Sequence, residues 1–142
     1  MPHELQSPEL QAWATGFPVT LLHAAVTLLI LIVGAALYAL ITPHREVQLI
    51  RDGNSAAALS FGGVIVALAI PLAVSMAVST SLIDVALWGA ATLFVQLAVF
   101  RLTDLILHGL PQRIQEGEIA AAALVVSAKI ATALVLAAAV AS

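Results

Sequence analysis

Four long apolar runs occupy most of this 142-residue chain, with short polar connections between them. They cover residues 19–41, 55–78, 82–107 and 119–141. The shortest would reach about 34 Å as a helix, which is enough to cross the hydrocarbon of a bilayer. No run alternates polar and apolar residues as a half-buried strand does. We therefore predict an all-α integral membrane protein with four transmembrane helices.

The composition supports a bilayer environment and excludes several kinds of function. Hydrophobic residues make up 62% of the chain and charged residues 9%, whereas a soluble domain is nearer half apolar and a quarter charged. The net charge of -3 gives no basis for nucleic-acid binding. Cysteine is absent, so thiol catalysis and cysteine metal sites are excluded. No nucleophile, phosphate-binding or zinc-protease motif occurs. We expect no enzyme activity, no cofactor and no metal.

The N-terminal segment, residues 1–18, lacks the basic residues of a secretory signal peptide. Ser7 and Pro8 are typical of an N-cap and a first-turn proline. We predict a short helix from Pro8 to Thr15 that lies at the membrane interface before the first span. A frayed polar leader is the alternative.

An internal repeat appears when the chain is shifted by 64 residues. The stretch "HREVQLIRDGNSAAA" then aligns with "HGLPQRIQEGEIAAA". The matches predict two tandem two-helix repeats, residues 19–78 and 79–142, in the same orientation. The polar turn of each repeat has the same plan, with a glycine and a capping residue before the returning helix. The equivalent turn residues are His44 and His108, Gly53 and Gly117, and Asn54 and Glu118.

The first repeat also carries a family resemblance. The stretch "TPHREVQLIRDGNSAAALSFGGVIVALAIPL" resembles the YjfL-like family of small bacterial inner-membrane proteins, known as domain of unknown function 350. With "EGEIAAAALVVSAK" of the second repeat, the resemblance covers roughly residues 19–141. It implies an inner-membrane location and two tandem two-helix domains, the second degenerate, and it implies no particular activity.

The arginines predict the orientation of the chain. All four lie in or beside the two longer connections, at positions 45, 51, 101 and 113. Basic residues are enriched on the cytoplasmic side of membrane proteins. We therefore expect both of these connections in the cytoplasm and both termini outside, in the periplasm.

Lys129 stands inside the last apolar run, where a charged residue is costly and suggests a function. Judged by depth along the helices, no acid lies level with it, whereas Thr92 and Gln96 do. We predict a polar site of Lys129, Gln96 and Thr92 between the third and fourth spans. The alternative is a lysine that faces a water defect or a subunit seam.

Two other polar features have plainer interpretations. His44 and His108 are candidates for a pH-sensitive or metal-binding pair, but the absence of neighbouring ligands favours interfacial capping residues. Arg101 and Asp104 are three residues apart, so we expect a local ion pair.

Small residues at four-residue spacing favour close packing of the second and fourth spans. They are Ala58 and Gly62 in one span, and Ala123, Ser127 and Ala131 in the other. We expect a homo-oligomer in contact with lipid, and a membrane protein partner is a further candidate. Two functions remain open: a structural or interaction subunit of a membrane assembly or envelope-stress system, and a small channel or transporter whose polar site is at Lys129.

Overall fold

The computed structural model describes residues 7–43 and 45–142, and these residues form six helices and no strand. Four helices are long and apolar enough to cross a membrane, which confirms the predicted fold class. Two short helices lie in the longer connections. The helices are α1 (Pro8–Ile41), α2 (Glu46–Arg51), α3 (Ser55–Val78), α4 (Leu82–Ile106), α5 (Leu110–Gln115) and α6 (Ile119–Ala141).

The first helix differs from the prediction, because from residue 7 onward the predicted interfacial helix and the first span form one continuous helix. Ser7 does cap the helix by accepting a hydrogen bond from the Leu10 amide, and Pro8 occupies its first turn. The helix then continues through Pro18 to Ile41. A proline removes one hydrogen bond but need not end a helix whose next turns are strongly apolar. The first six residues of the predicted segment lie outside the described residues.

The two longer connections have the same backbone geometry. Gly53 and Gly117 each have φ +88°, a left-handed conformation that favours glycine. The amide of the residue after each glycine donates to a carbonyl five residues earlier, at 2.9 Å from Asn54 and 3.0 Å from Glu118. Helices α2 and α5 also begin 64 residues apart. We call the end of the bundle that carries α2 and α5 the connection end.

Helices α3 and α6 both start at the connection end and form the most extensive helix–helix contact. Gly63 makes their close approach possible, since a Cβ atom there would lie 2.5 Å from the Val126 side chain. The small residues in this contact are not those predicted from the spacing. The two helices meet on the faces that carry Gly63 and Val126. The residues of the predicted stripe are exposed instead: Ala58, Gly62, Ala123, Ser127 and Ala131.

Helix α1 packs on α4 and α3 and is the least buried of the four long helices. A Cβ atom at Gly34 would overlap a Leu93 methyl group, and one at Gly89 would lie 2.8 Å from Ile30. These two glycines let α1 approach α4 on a mainly aliphatic surface. Helices α3 and α4 are joined by a three-residue turn, in which Ser81 caps α4 by accepting from the Asp84 amide at 3.1 Å.

Candidate functional site: a buried charged cluster

Lys129 of α6 is 1% exposed and has two close polar partners. Its ammonium lies 2.8 Å from Asp104 Oδ1 of α4 and donates to the Tyr38 hydroxyl of α1 at 2.7 Å. The ammonium also lies 4.7 Å from the centre of the Tyr38 ring, within range of a cation–π interaction. The lysine thus joins three of the four long helices.

The prediction that no acid reaches Lys129 is therefore wrong. It compared the depths of backbone positions, but helical side chains lean toward the N-terminus of their own helix. Helix α6 starts at the connection end, so Lys129 leans toward that end. Helix α4 runs the other way, so Asp104 leans toward the middle of the bundle. The two side chains approach each other and meet between their backbone levels.

Gln96 has a different partner from the one predicted. Its side-chain amide donates to the Ala67 carbonyl of α3 at 2.6 Å. That carbonyl lacks its helical donor because Pro71, four residues later, has no N–H. Gln96 therefore repairs the hydrogen bond that Pro71 removes. Thr92 is buried on the same face of α4 as Gln96. It is not one of the two polar partners of Lys129.

Glu46, the first residue of α2, is a further buried acid at this site. The site predicted from the sequence did not include it. Glu46 is 3% exposed, and its Oε2 atom has no hydrogen-bond partner. The charges of Lys129 and Asp104 both act on it. We call Tyr38, Glu46, Arg101, Asp104 and Lys129 the charged cluster. The sequence around Glu46 did not indicate that its side chain is buried, because a glutamate in a short polar connection is usually exposed.

Arg101 lies at the rim of the charged cluster. Its guanidinium is 4.0 Å from Asp104 Oδ2, with the arginine side chain 37% exposed and that of Asp104 10% exposed. This confirms the predicted local pair. Asp104 therefore faces two cations, of which the buried Lys129 is closer.

Burial raises the pKa of Glu46 to about 7. Lys129 opposes this shift because its positive charge favours the carboxylate, and Asp104 reinforces it because two negative charges repel. Desolvation is the largest of the three effects.

The predicted turn residues have separate roles. Asn54 caps α3 by accepting from the Ala57 amide at 2.9 Å, and it also donates to the carbonyl of Gln115 at the end of α5. Glu118 makes no capping bond and pairs with Arg113 instead. Glu118 thus occupies the predicted N-cap position of α6 without a side-chain capping bond.

The histidine pair is not assembled by the described residues. His108 is exposed in the α4–α5 connection, and His44 lies outside the described residues. No group of three or more possible metal ligands occurs within 7–43 and 45–142.

The larger surface grooves are apolar. One of about 330 Å³ runs between α1 and α4 and is lined by side chains such as Leu29, Val33 and Phe94. Another of about 280 Å³ lies between α1 and α3, next to Leu28 and Met76. These surfaces suit lipid chains better than a polar solute.

Comparisons with known proteins point to one family. The family model described as Domain of Unknown Function (DUF350) matches residues 12–140. Two curated relatives, both called "UPF0719 inner membrane protein YjfL", come from Escherichia coli strain K12 and Escherichia coli O157:H7. Each is 38% identical over 78 residues, which cover 55% of this chain and 59% of the relative. The match thus spans little more than half the length of either protein. No solved structure matches the chain.

Proposed function

The chain belongs to the DUF350 family, and from that premise we propose that it is a multi-pass inner-membrane protein serving as a structural or interaction subunit of an oligomeric assembly. An envelope-stress system is one setting for such a subunit. The observation that carries the proposal is the contrast between the inside and the outside of the bundle. Lys129 and Asp104 turn inward and compensate each other, while the outer grooves are apolar. This arrangement suits a scaffold in lipid, and the proposal assigns the chain no catalytic role.

Two tandem copies of a helix–turn–helix unit form part of this proposal. The recurrence of the glycine conformation and the turn hydrogen bonds at an offset of 64 supports it. We also propose that the connection end faces the cytoplasm and that both termini face the periplasm. The arginines at this end support that orientation.

Self-association is proposed through the exposed stripe of small residues on α3 and α6. In a bilayer, helices associate by close packing of small side chains rather than by the hydrophobic effect. A Cβ atom added at Gly62 would meet nothing within 4 Å, so this face is free in the single chain. A second copy, or another membrane protein, would fit against it.

The oligomeric state in lipid tests the proposal. Wild-type protein in nanodiscs should give dimers or larger species by single-molecule photobleaching. Gly62→Phe should shift the distribution toward monomers. Gly16→Phe is the matched control, since a Cβ atom at Gly16 would also meet nothing within 4 Å, and it should leave the distribution unchanged. Wild-type monomers at every protein-to-lipid ratio would contradict the proposal.

A small channel or transporter is the second candidate, and one observation favours it. The buried Lys129–Asp104 pair places two ionisable groups inside the spans, and such groups often mark ion or proton pathways. Ion or proton flux in proteoliposomes that disappears in the double variant Lys129→Ile/Asp104→Leu would favour this candidate over the scaffold.

A further inference from the structure

We propose that Glu46 is a proton-binding site, held at the connection end by the other members of the charged cluster and exchanging its proton with the adjacent aqueous phase. The ligand is the proton itself. This inference goes beyond the proposed scaffold and does not depend on the oligomeric state.

The burial of Glu46 is the first observation. The residue is 3% exposed, and Oε2 is both inaccessible and without a hydrogen-bond partner. An ionised carboxylate oxygen is an acceptor only, so burial without a donor is unfavourable. Addition of a proton removes the charge and turns one oxygen into a donor. The site therefore favours the protonated acid.

The charges around Glu46 are the second observation. Lys129 of α6 attracts its carboxylate, and Asp104 of α4 repels it. The lysine is already engaged with Asp104 at 2.8 Å, so one buried positive charge faces two carboxyl groups. Arg101 also pairs with Asp104, but from the partly exposed rim, so Lys129 is the buried cation that Asp104 and Glu46 share. The attraction of Lys129 for the Glu46 carboxylate is therefore partly used by Asp104, and burial still favours the protonated acid.

Among residues 7–43 and 45–142, the remaining neighbours do not supply a second buried cation. Tyr38 of α1 carries a neutral hydroxyl that is occupied by Lys129. Helix α3, which packs against α2, has no ionisable side chain. On α2 and its caps, the charged residues other than Glu46 are exposed: Arg45, Arg51 and Asp52. Arg101 sits partly exposed at the rim beside Asp104.

The raised pKa of Glu46, to about 7, agrees with this arrangement. An exposed glutamate has a pKa near 4.3. The proton would therefore be exchanged in the physiological range rather than in acid.

Comparison of the two proposed repeats indicates that the fold does not require the charged cluster. Every member of the charged cluster has an aliphatic residue 64 positions away in the sequence. Buried ion pairs can often be replaced by well-packed apolar side chains at little cost in stability. The corresponding residues are Leu102 for Tyr38, Leu110 for Glu46, Leu37 for Arg101, Leu40 for Asp104 and Ile65 for Lys129.

Infrared difference spectroscopy of the full chain in nanodiscs, titrated with pH, tests the proposal. A protonated carboxyl group has a carbonyl stretch that an ionised carboxylate lacks. We expect such a band to disappear with a midpoint near pH 7 and to be missing in Glu46→Gln. Persistence of the band in Glu46→Gln, or a wild-type midpoint below about pH 5 as for an ordinary glutamate, would overturn the proposal.

Matched variants identify the group that titrates. Glu116→Gln, at an exposed glutamate in the equivalent connection, should leave the band and its midpoint unchanged. His44→Gln should do the same, since histidine also titrates near neutral pH. A lost or shifted band in either variant would contradict the assignment to Glu46.

Asp104→Asn tests the electrostatic origin of the effect. It removes the repulsion and releases Lys129 to face Glu46, so both changes favour the carboxylate. The midpoint should move to lower pH by about one unit or more, and an unchanged or higher midpoint would contradict the proposal. If Glu46→Gln fails to fold, Glu46→Leu is the substitute, because leucine occupies position 110. The band should be missing there as well, and its persistence would count against the proposal.

Discussion

At the scale of single residues, the Lys129–Asp104 pair turns an unfavourable charge into a contact between helices. Neither group is tolerated well alone in the bilayer interior. At 2.8 Å, with the Tyr38 hydroxyl as a further acceptor, the ammonium is satisfied by residues from α1 and α4. The polar contacts of the buried ammonium therefore come from this chain, and no external partner is needed to account for them.

Removing only the lysine should be more harmful than removing the pair. Lys129→Ile leaves Asp104 buried without its nearer cation, which costs about 3–5 kcal/mol for a broken buried pair. We expect the lower end of this range because Arg101 remains 4.0 Å away. Lys129→Ile/Asp104→Leu should recover most of the loss. Unfolding by steric trapping in bicelles measures both, and a double variant no more stable than Lys129→Ile would contradict the expectation. With Asp104→Leu as the second single variant, strict additivity of the losses would show that the pair is not coupled.

Contacts within one helix of this chain are predictable from the sequence, whereas contacts between its helices are not. The Arg101–Asp104 pair follows from a three-residue spacing on one helix and was predicted. The Asp104–Lys129 pair depends on the opposite lean of side chains on antiparallel helices, and on how far α4 and α6 are offset. Glu46 is buried only because α2 folds back on the bundle. Spacing within one element does not carry such information.

At the scale of elements, Pro71 and Gln96 form a matched pair across α3 and α4. The proline leaves the Ala67 carbonyl without a donor, and the Gln96 amide supplies one from the neighbouring helix. The consequence of Pro71 for its carbonyl was predictable from the sequence. The identity of the donor was not, because it depends on the rotation of α4.

A double-mutant cycle tests this pair. Gln96→Leu should destabilise the protein by about 0.6–1 kcal/mol, the usual range for hydrogen bonds between membrane helices. In a Pro71→Ala background, where a backbone N–H can serve the same carbonyl, the loss should be smaller. Bicelle unfolding provides the four free energies, and strict additivity would argue against a shared carbonyl.

The two turn glycines allow a direct comparison of the connections. Gly53→Ala and Gly117→Ala should each cost about 1–2 kcal/mol, the penalty for a left-handed conformation in a residue with a Cβ atom. Neither site has a neighbour within 4 Å of the added carbon, so the cost is conformational. Thermal unfolding in detergent compares the two variants. Gly16→Ala, within a helix, is the control and should not destabilise the protein.

At the scale of the whole molecule, the sequence identified the four spans but not how they pack. The bounds of α3 and α6 agree with the apolar runs, because capping residues and long hydrophobic stretches define helix ends locally. Which small residues face inward depends on helix rotation, and the predicted stripe proved to be on the outer surface. In so apolar a chain every face of a helix is hydrophobic, so amphipathicity cannot indicate the buried side.

The absence of native cysteine makes the orientation directly measurable. Arg51→Cys and Ser142→Cys lie at opposite ends of the bundle, and both positions are exposed. In intact cells, an impermeant maleimide should label Ser142→Cys and should label Arg51→Cys only after lysis. The reverse pattern would overturn the proposed orientation. Thr80→Cys, in the turn between α3 and α4, should label like Ser142→Cys.

The arrangement of polar contacts along α1 has a mechanical consequence. Tyr38 ties the last turns of this helix to Lys129, whereas the preceding turns meet α4 through glycine and aliphatic surface. The polar contact is therefore near one end of α1, and we expect the apolar contacts of the earlier turns to restrain the helix less. The turns furthest from Tyr38 should then have the largest local motions. Amide exchange along α1 should accordingly rise from Tyr38 toward Pro8.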